Sequence, residues 1–370
     1  MGNIAIYIYD YSLLGGCQKV TANLAKLFHQ HKMPVKAVIS YEVKGNMDYS
    51  YPTDIELING KRNFKFIKDW LVSHNISNLI VQVENLLLCS KLIGILNGSS
   101  INVFPVLHST PYYWLRKYYS FKQYMEKPIL IAQYLKMKFY WHNLHMSIFK
   151  RLAEQRIICV SKQARKELCG ILGNEYADNI LYIYNPINVN SQECDVEKRN
   201  IITYAGRLSV EKRTGLMLEV WKKVIEKESG WIFRILGDGP DKIGMEKFCR
   251  KNDIKNVVFT GKVNNVVSYL NESKISVLFS KYEGLPTGML EACACGNALV
   301  GCINDGGLTD IVENGVNGYT AKADAGHLAE LILKIIKNEK LCYAMGKNSR
   351  RLVSKFSDDQ ILRSWKSMLE

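Results

Sequence analysis

Apolar residues recur in two rhythms along the chain, and these alternate from end to end. Short runs such as Asn3-Ile-Ala-Ile-Tyr-Ile-Tyr9 are apolar at nearly every position, as strands buried on both faces are, and similar runs fall near 34–40, 78–83, 101–107, 157–160 and 180–184. Between the first two, Val20, Leu24, Leu27 and Phe28 recur at helical spacing, so 17–31 reads as a crossover helix. A second series begins with strands near 201–205, 231–236, 257–259, 275–279 and 298–301, the clearest helix being 214–228 with Met217, Val220, Trp221, Val224 and Ile225 in one stripe. Strand and helix in alternation define an α/β chain of parallel units.

The segment from Tyr184 to Asn200 is polar, contains Pro186 and has no apolar period, as an interdomain linker does. The pattern therefore predicts two Rossmann-like domains facing a central cleft: residues 1–185, a linker over 186–200, and residues 201–355, with a C-terminal helix near 356–370 packing back on the first domain. A length of 370 residues agrees with two domains. Ligands of open parallel sheets sit beyond the carboxyl ends of the strands, so the loops that follow strands are where chemistry is sought.

Composition removes several classes. With 47% hydrophobic and 23% charged residues the chain is not a disordered one. The greasiest long stretch, Ile129 to Phe149, is broken by Lys136, Lys138, His142 and His145, so no spanning helix is expected. Asn3–Tyr9 has no basic lead and stops at Asp10, which reads as a first strand and not a signal peptide, and Ile6 stands where a myristoylation motif needs Ser or Thr. Ten cysteines without a C-x-x-C spacing are expected to be free thiols in a reducing cytoplasm.

Charge changes the picture in one place. The net charge is +14, and residues 1–190 carry 22 Lys/Arg against 12 Asp/Glu. Within 112–151 eight basic residues, among them Arg116, Lys117 and Lys122, face one acid, Glu126, and stand among twelve aromatics that include Trp114. Such a basic, aromatic segment suits an anionic membrane surface and an acceptor carried there.

Candidate chemistry lies in the second series. In Ala205-Gly-Arg-Leu-Ser-Val-Glu-Lys212, Gly206 permits a turn, and Arg207 and Lys212 bring two cations near a helix start, which is diphosphate-binding chemistry. In Ser280-Lys-Tyr-Glu-Gly-Leu-Pro-Thr-Gly-Met-Leu-Glu291, Gly284 and Pro286 precede a helix whose first amides favour phosphate. Glu283 and Glu291 stand about 10 Å apart along that segment, at 1.5 Å per helical residue. They suit two separate hydroxyl-bearing parts of one ligand, such as the ribose and hexose of a nucleotide sugar.

Gly206-Arg-Leu-Ser-Val-Glu-Lys212, Gly237-Asp-Gly-Pro240, the Glu283/Glu291 pair and the run Gly306–Gly318 resemble the retaining GT-B glycosyltransferases of family 4. Gly15-Gly16, His108-Ser-Thr-Pro111, Val160-Ser-Lys162 and Tyr184-Asn-Pro186 resemble the family as well. The resemblance implies that Arg207 and Lys212 neutralise the departing diphosphate, Glu283 meets the donor sugar near its 3-hydroxyl, and Glu291 holds the ribose. It implies that Gly206 and the backbone of Gly284, Leu285, Pro286 and Thr287 line the donor, that His108 meets the donor sugar from the other domain, and that Gly15 and Gly16 let backbone approach the diphosphate. Asp310 stands where the family often has Glu. No Asp-x-Asp occurs, and neither a metal nor another cofactor is expected, so the two cations take the metal's place.

The expected activity is transfer of a sugar, with retention, from a nucleotide sugar, UDP-linked by preference, to a glycan acceptor carried on a lipid. The setting expected is cell-surface polysaccharide synthesis on the cytoplasmic face of the membrane, with no nucleic-acid partner. Two other readings are a non-catalytic basic protein binding membrane or nucleic acid through 112–151, and a nucleotide-sugar epimerase on the same fold.

Overall fold

The computed structural model describes residues 2–13, 15–46, 49–116, 128–187, 196–303 and 305–370. The chain divides into two units, Met1–Pro186 with Asp358–Glu370, and Ile187–Ser357. Each is a parallel sheet whose strands alternate with helices.

In the first unit the strands are β1 (Asn3–Ile8), β2 (Val35–Ser40), β3 (Glu56–Asn59), β4 (Ile76–Val83), β5 (Asn102–Leu107), β6 (Ile158–Cys159) and β7 (Leu181–Tyr182). Their order across the sheet is β3-β2-β1-β4-β5-β6-β7, all parallel. Ile4, Ile6 and Ile8 are fully buried, and Tyr7 nearly so, because helices cover both faces of a parallel sheet. Asn63, Asn85 and Ser161 each accept a backbone amide at the start of a helix, satisfying donors that the helix itself leaves open.

The second unit repeats the plan with β8 (Arg199–Ala205), β9 (Ile232–Leu236), β10 (Val257–Gly261), β11 (Ser273–Leu278), β12 (Tyr282–Glu283), β13 (Ala298–Cys302), β14 (Asp305–Gly306) and β15 (Gly318–Ala321). Its six-stranded sheet runs β10-β9-β8-β11-β13-β15, and β12 pairs with β14 in a separate two-stranded piece. Both sheets reverse their order of addition beside the first strand, between β1 and β4 and between β8 and β11, the doubly wound arrangement.

Several boundaries differ from the sequence pattern. Two strands, β3 and β15, have no apolar run long enough to announce them. The helix read over 214–228 ends at Ile225. Strand β8 starts at Arg199, inside the stretch read as linker, since Arg199 pairs with Ser273. Residues 188–195 of that stretch lie outside the described residues. Among the described residues no helix is long and apolar enough to cross a membrane, and no cysteine is in a disulfide.

The C-terminal helix Asp358–Leu369 groups with the first unit, where Trp365 meets Phe28 edge to face with ring centroids 5.8 Å apart. Both rings are buried, at 3% and 0% exposure. Trp365→Ala should therefore lower the stability of the first unit by about 3–5 kcal/mol, seen as an earlier transition in urea unfolding. An unchanged midpoint would mean that this helix does not hold that unit together.

Candidate active site

In the second unit the loops beyond the carboxyl ends of β8, β9, β11 and β13 are pressed against one another. Gly237, at φ +133°, lies so close to the next loop that a Cβ would sit 2.0 Å from the Gly206 carbonyl oxygen. Gly306, at φ +110°, would place a Cβ 1.5 Å from the Glu283 carbonyl oxygen. No L side chain satisfies either position, so glycine is what permits the approach. Hydrogen bonds complete the stack: Leu208 N–H donates to Asp238 O at 2.9 Å and Asp241 N–H to Leu208 O at 3.1 Å.

This packing fixes the side chains the sequence singled out. Lys212, in the short 3-10 turn Val210–Lys212, reaches across to Glu283 with Nζ 2.5 Å from Oε1, and both side chains are largely buried. Glu283 is held by its place in β12, paired with Gly306. Arg207 is exposed at the rim of the same loop. The helix Thr287–Ala294 starts immediately after, with Pro286 at its cap and no side chain closing it. Pro286 has no N–H, so of the expected backbone donors it is the one that cannot serve. Leu285 is 5% exposed and belongs to the core, which leaves its backbone alone for a ligand. Glu291 is buried within the helix at 4% exposure, and Asp310 is half-buried on the helix Leu308–Ile311.

Two residues that the sequence pattern did not single out organise this site. Arg213, in the left-handed region at φ +51°, donates from one guanidinium nitrogen to the carbonyls of Phe279 (2.9 Å) and Ser280 (3.0 Å), tying the loop after β8 to the loop after β11. Tyr204 lies beneath Gly206 and donates its hydroxyl to Arg207 O at 2.9 Å. Burial first, then the nearby Glu283 and Glu211 carboxylates, keep that phenol protonated. Glu211 itself is held below the ordinary carboxylate range: burial opposes this, and the Ser209 hydroxyl at 2.6 Å, with Lys212 and Arg207 close by, outweighs it.

The first unit offers a different chemistry at the same topological place. Gly15 caps the helix Gly16–Gln30 with extended backbone, and a Cβ on Gly16 would meet nothing within 4 Å, so the chain is open to a ligand there. Gln18 bridges the loops after β1 and β4, donating to Asp10 O at 3.0 Å and Glu84 Oε1 at 2.8 Å. The other Glu84 oxygen is buried without a partner. Burial is the largest influence and raises the Glu84 pKa to about 7. His108, just past β5, is hydrogen-bonded through Nε2 to Gln82 Oε1, and desolvation lowers its pKa to about 4.

Of the residues assigned to acceptor and membrane, Trp114 is corrected by the structure. It is 7% exposed, packed in the core of the first unit with its ring edge-on to His145 at 6.3 Å. A ring spent on core packing has no face left for a membrane. Lys117 and Lys122 lie outside the described residues, and Arg116 is described in its backbone alone. Exposed residues of this type are found further on, in the helix Pro128–Ala153, where Lys136, Lys138, Phe139 (71%) and Tyr140 (61%) all face solvent.

The second unit thus brings Arg207, the Lys212–Glu283 pair and the start of the helix Thr287–Ala294 to the switch point of a doubly wound sheet, where such sheets bind ligands. Residues 189–352 match the family described as glycosyl transferases group 1. A curated relative, the poly(ribitol-phosphate) alpha-N-acetylglucosaminyltransferase of Staphylococcus aureus, is 28% identical over 198 residues, 53% of this chain and 40% of the relative. The chain spans about half the length of the curated relatives it matches first, 40–59%. Among solved structures, S. aureus TarM in complex with fondaparinux, alpha-GlcNAc-glycerol and UDP has a TM-score of 0.79 at 15% identity, covering 100% of both chains. The pneumococcal O-GlcNAc transferase GtfA with UDP and GlcNAc scores 0.73 at 13% identity, covering 99% of this chain and 98% of that one. The fold is that of the GT-B glycosyltransferases.

The raised pKa of Glu84 carries a stability consequence. Its folded value of about 7 exceeds the ordinary 4.5, so the fold favours the protonated carboxyl. The burial penalty is absent below about pH 4.5, grows as pH rises and is complete above about pH 7. Glu84→Gln keeps the acceptor for Gln18 and removes the ionisation. It should raise stability by about 3 kcal/mol at pH 8, each tenfold change in proton affinity being worth about 1.36 kcal/mol, and leave it nearly unchanged at pH 4. Urea unfolding of both proteins at the two pH values decides; equal gains at both would refute a titrating Glu84.

Proposed function

We propose that the chain is a retaining glycosyltransferase that moves a sugar from a UDP-sugar to a glycan acceptor carried on a lipid. The observation that carries this reading is the joining of Lys212 to Glu283 at the β8/β11 switch point, with Arg207 on the same loop and the start of the helix Thr287–Ala294 just beyond. The complexes of TarM and GtfA, each with UDP and an N-acetylglucosamine-type sugar, support UDP-GlcNAc as the first donor to try.

In this reading the donor diphosphate lies against Arg207, Lys212 and the amides at the helix start. Cleavage of the anomeric bond increases charge on the diphosphate, so cations already in place stabilise the transition state more than the ground state. Glu283, relieved of part of its pairing as Lys212 turns to the diphosphate, accepts from hydroxyls of the donor sugar. Glu291 takes the ribose. The acceptor hydroxyl attacks from the face the diphosphate leaves, and the diphosphate oxygen takes its proton, which retains configuration. The reaction proceeds without a divalent metal, the two cations supplying the counter-charge.

Incubation of the purified protein with UDP-sugars, with and without lipid-linked glycans, and measurement of UDP release test the reading. Arg207→Ala or Lys212→Ala should lower kcat by about 10²–10³ while the protein stays folded, and EDTA should leave turnover unchanged. Wild-type turnover in both variants would remove the cations from the chemistry.

A lipid-linked acceptor places the protein at the inner face of the membrane, and the exposed Lys136, Lys138, Phe139 and Tyr140 are suited to that surface. The protein should sediment with anionic but not zwitterionic liposomes and be released by ~0.5 M salt. Lys136→Glu with Lys138→Glu should weaken this binding and spare nucleotide affinity. Equal sedimentation with both liposome types would favour a soluble acceptor.

A further inference from the structure

Lysine's flexible four-carbon stem does not fix its ammonium in space, so the position of a lysine charge comes from the backbone that carries it and the partner it meets. For Lys212 the backbone is bracketed by two ties between the loop after β8 and the loop after β11. On one side Glu211 O accepts the Lys281 N–H at 2.8 Å. On the other, one guanidinium nitrogen of Arg213 donates to Phe279 O and Ser280 O. The first tie is backbone to backbone; the second belongs to a single side chain. The same guanidinium lies beside the Cys302 thiol, whose pKa burial raises to about 11 while Arg213 works against the rise. One residue of the loop after β8 therefore reaches the ends of both β11 and β13. Its backbone is also the junction between the 3-10 turn Val210–Lys212 and the helix Thr214–Ile225, with its N–H donating to Val210 O at 3.0 Å and its carbonyl accepting from Met217 N–H at 3.2 Å. That junction is made in the left-handed region, at φ +51° and ψ 49°, which is costly for any residue with a Cβ.

We propose that Arg213 is a positioning residue that acts through Lys212: its two carbonyl bonds hold the lysine's backbone where the ammonium meets Glu283, and so set turnover without touching the donor. The proposal rests on the reading above, in which Lys212 meets the departing diphosphate. Glu283 is held from its own side by the pairing of β12 with β14. Arg213 supplies the matching hold on the lysine, so the two members of the pair are fixed independently before they meet. Glycine would make the left-handed junction at less cost but would bring no donor. Arginine gives up that ease for a terminal nitrogen that offers one proton to each of two carbonyls. The chain reversal before the helix and the placing of Lys212 are thereby made by one residue.

A double-mutant cycle on the full chain tests this, with UDP-GlcNAc, a lipid-linked glycan and UDP release as the readout. Arg213→Gly suits the left-handed backbone while removing the guanidinium, so its urea midpoint should stay close to that of wild type. Its kcat should fall about tenfold, with KM for the donor changed by less than about threefold. In a Lys212→Ala background the same substitution should lower kcat by less than about twofold, because a residue that acts through Lys212 then has nothing to position. Arg213→Lys, which keeps a donor for one carbonyl, should recover part of the loss. A second readout needs no substrate. In protein labelled with ¹⁵N-lysine, the Lys212 ammonium, assigned by difference against Lys212→Ala, should show slowed proton exchange in wild type and lose it in Arg213→Gly. Equal losses of kcat in both backgrounds would make Arg213 a general support of the fold and overturn the proposal, as would an ammonium signal unmoved by Arg213→Gly. If Arg213→Gly fails to fold, Arg213→Lys taken through the same cycle and spectra decides. Absence of sugar transfer by wild type would count against the proposed activity and leave Arg213 to be judged on the ammonium alone.

Discussion

A parallel strand can be entered only from the end at which its neighbour was entered, so each crossover must carry the chain back across a face of the sheet. All the loops that leave strands therefore gather at one edge, and where the order reverses they part to opposite faces and leave room between them. In the second unit this happens between β8 and β11. The loops bearing Arg207, Lys212 and Glu283 are the two that flank that gap. Their chemistry is a consequence of topology first and of side chains second.

Room alone does not make a site, because loops with free ends would let the charges drift apart. Close backbone contact prevents this. The approach of Gly237 to Gly206 and of Gly306 to Glu283 removes the space any side chain would need, and Arg213 bonds two carbonyls of the facing loop. Arg207 and Arg213 are thus two arginines in one short segment with opposite uses. One is exposed and its charge is available to a ligand; the other spends its guanidinium on backbone and holds the site in shape. Preorganisation of this kind is what lets charges act without rearranging during the reaction.

The two units share a strand order and differ in what they place at the switch point. The second gathers cations and glutamates. The first gathers neutral groups: an amide bridge from Gln18 to Glu84, a carboxyl whose burial favours its protonated form, and a histidine kept uncharged by desolvation. Cations suit a departing diphosphate, and neutral hydrogen-bonding groups suit the hydroxyls of sugars. The same backbone plan accommodates either, since function resides in the loops it presents and not in the sheet.

Much of the architecture was legible in the chain. Apolar runs such as Ile4–Ile8 announce buried parallel strands because both faces must be covered, and Gly206 with the cations Arg207 and Lys212 announces a charged turn at the end of a strand. Strands β3 and β15 were not legible, since four residues are too few for a period to show, and neither were β12 and β14, which exist only through pairing with each other. Trp114 reads as a surface aromatic by its neighbours in sequence, yet it is core, because burial is decided by what packs against a residue. Arg213 looks no different from Arg207 until the loop after β11 is beside it. Gln82 and His108 are 26 residues apart and carry no shared motif; only the register of two parallel strands brings the amide to the ring. The sequence by itself determined the class of fold and which loops hold charge, through local periodicity and backbone freedom. Tertiary structure alone decided which charges are available and which are spent, because that depends on contacts between segments distant along the chain.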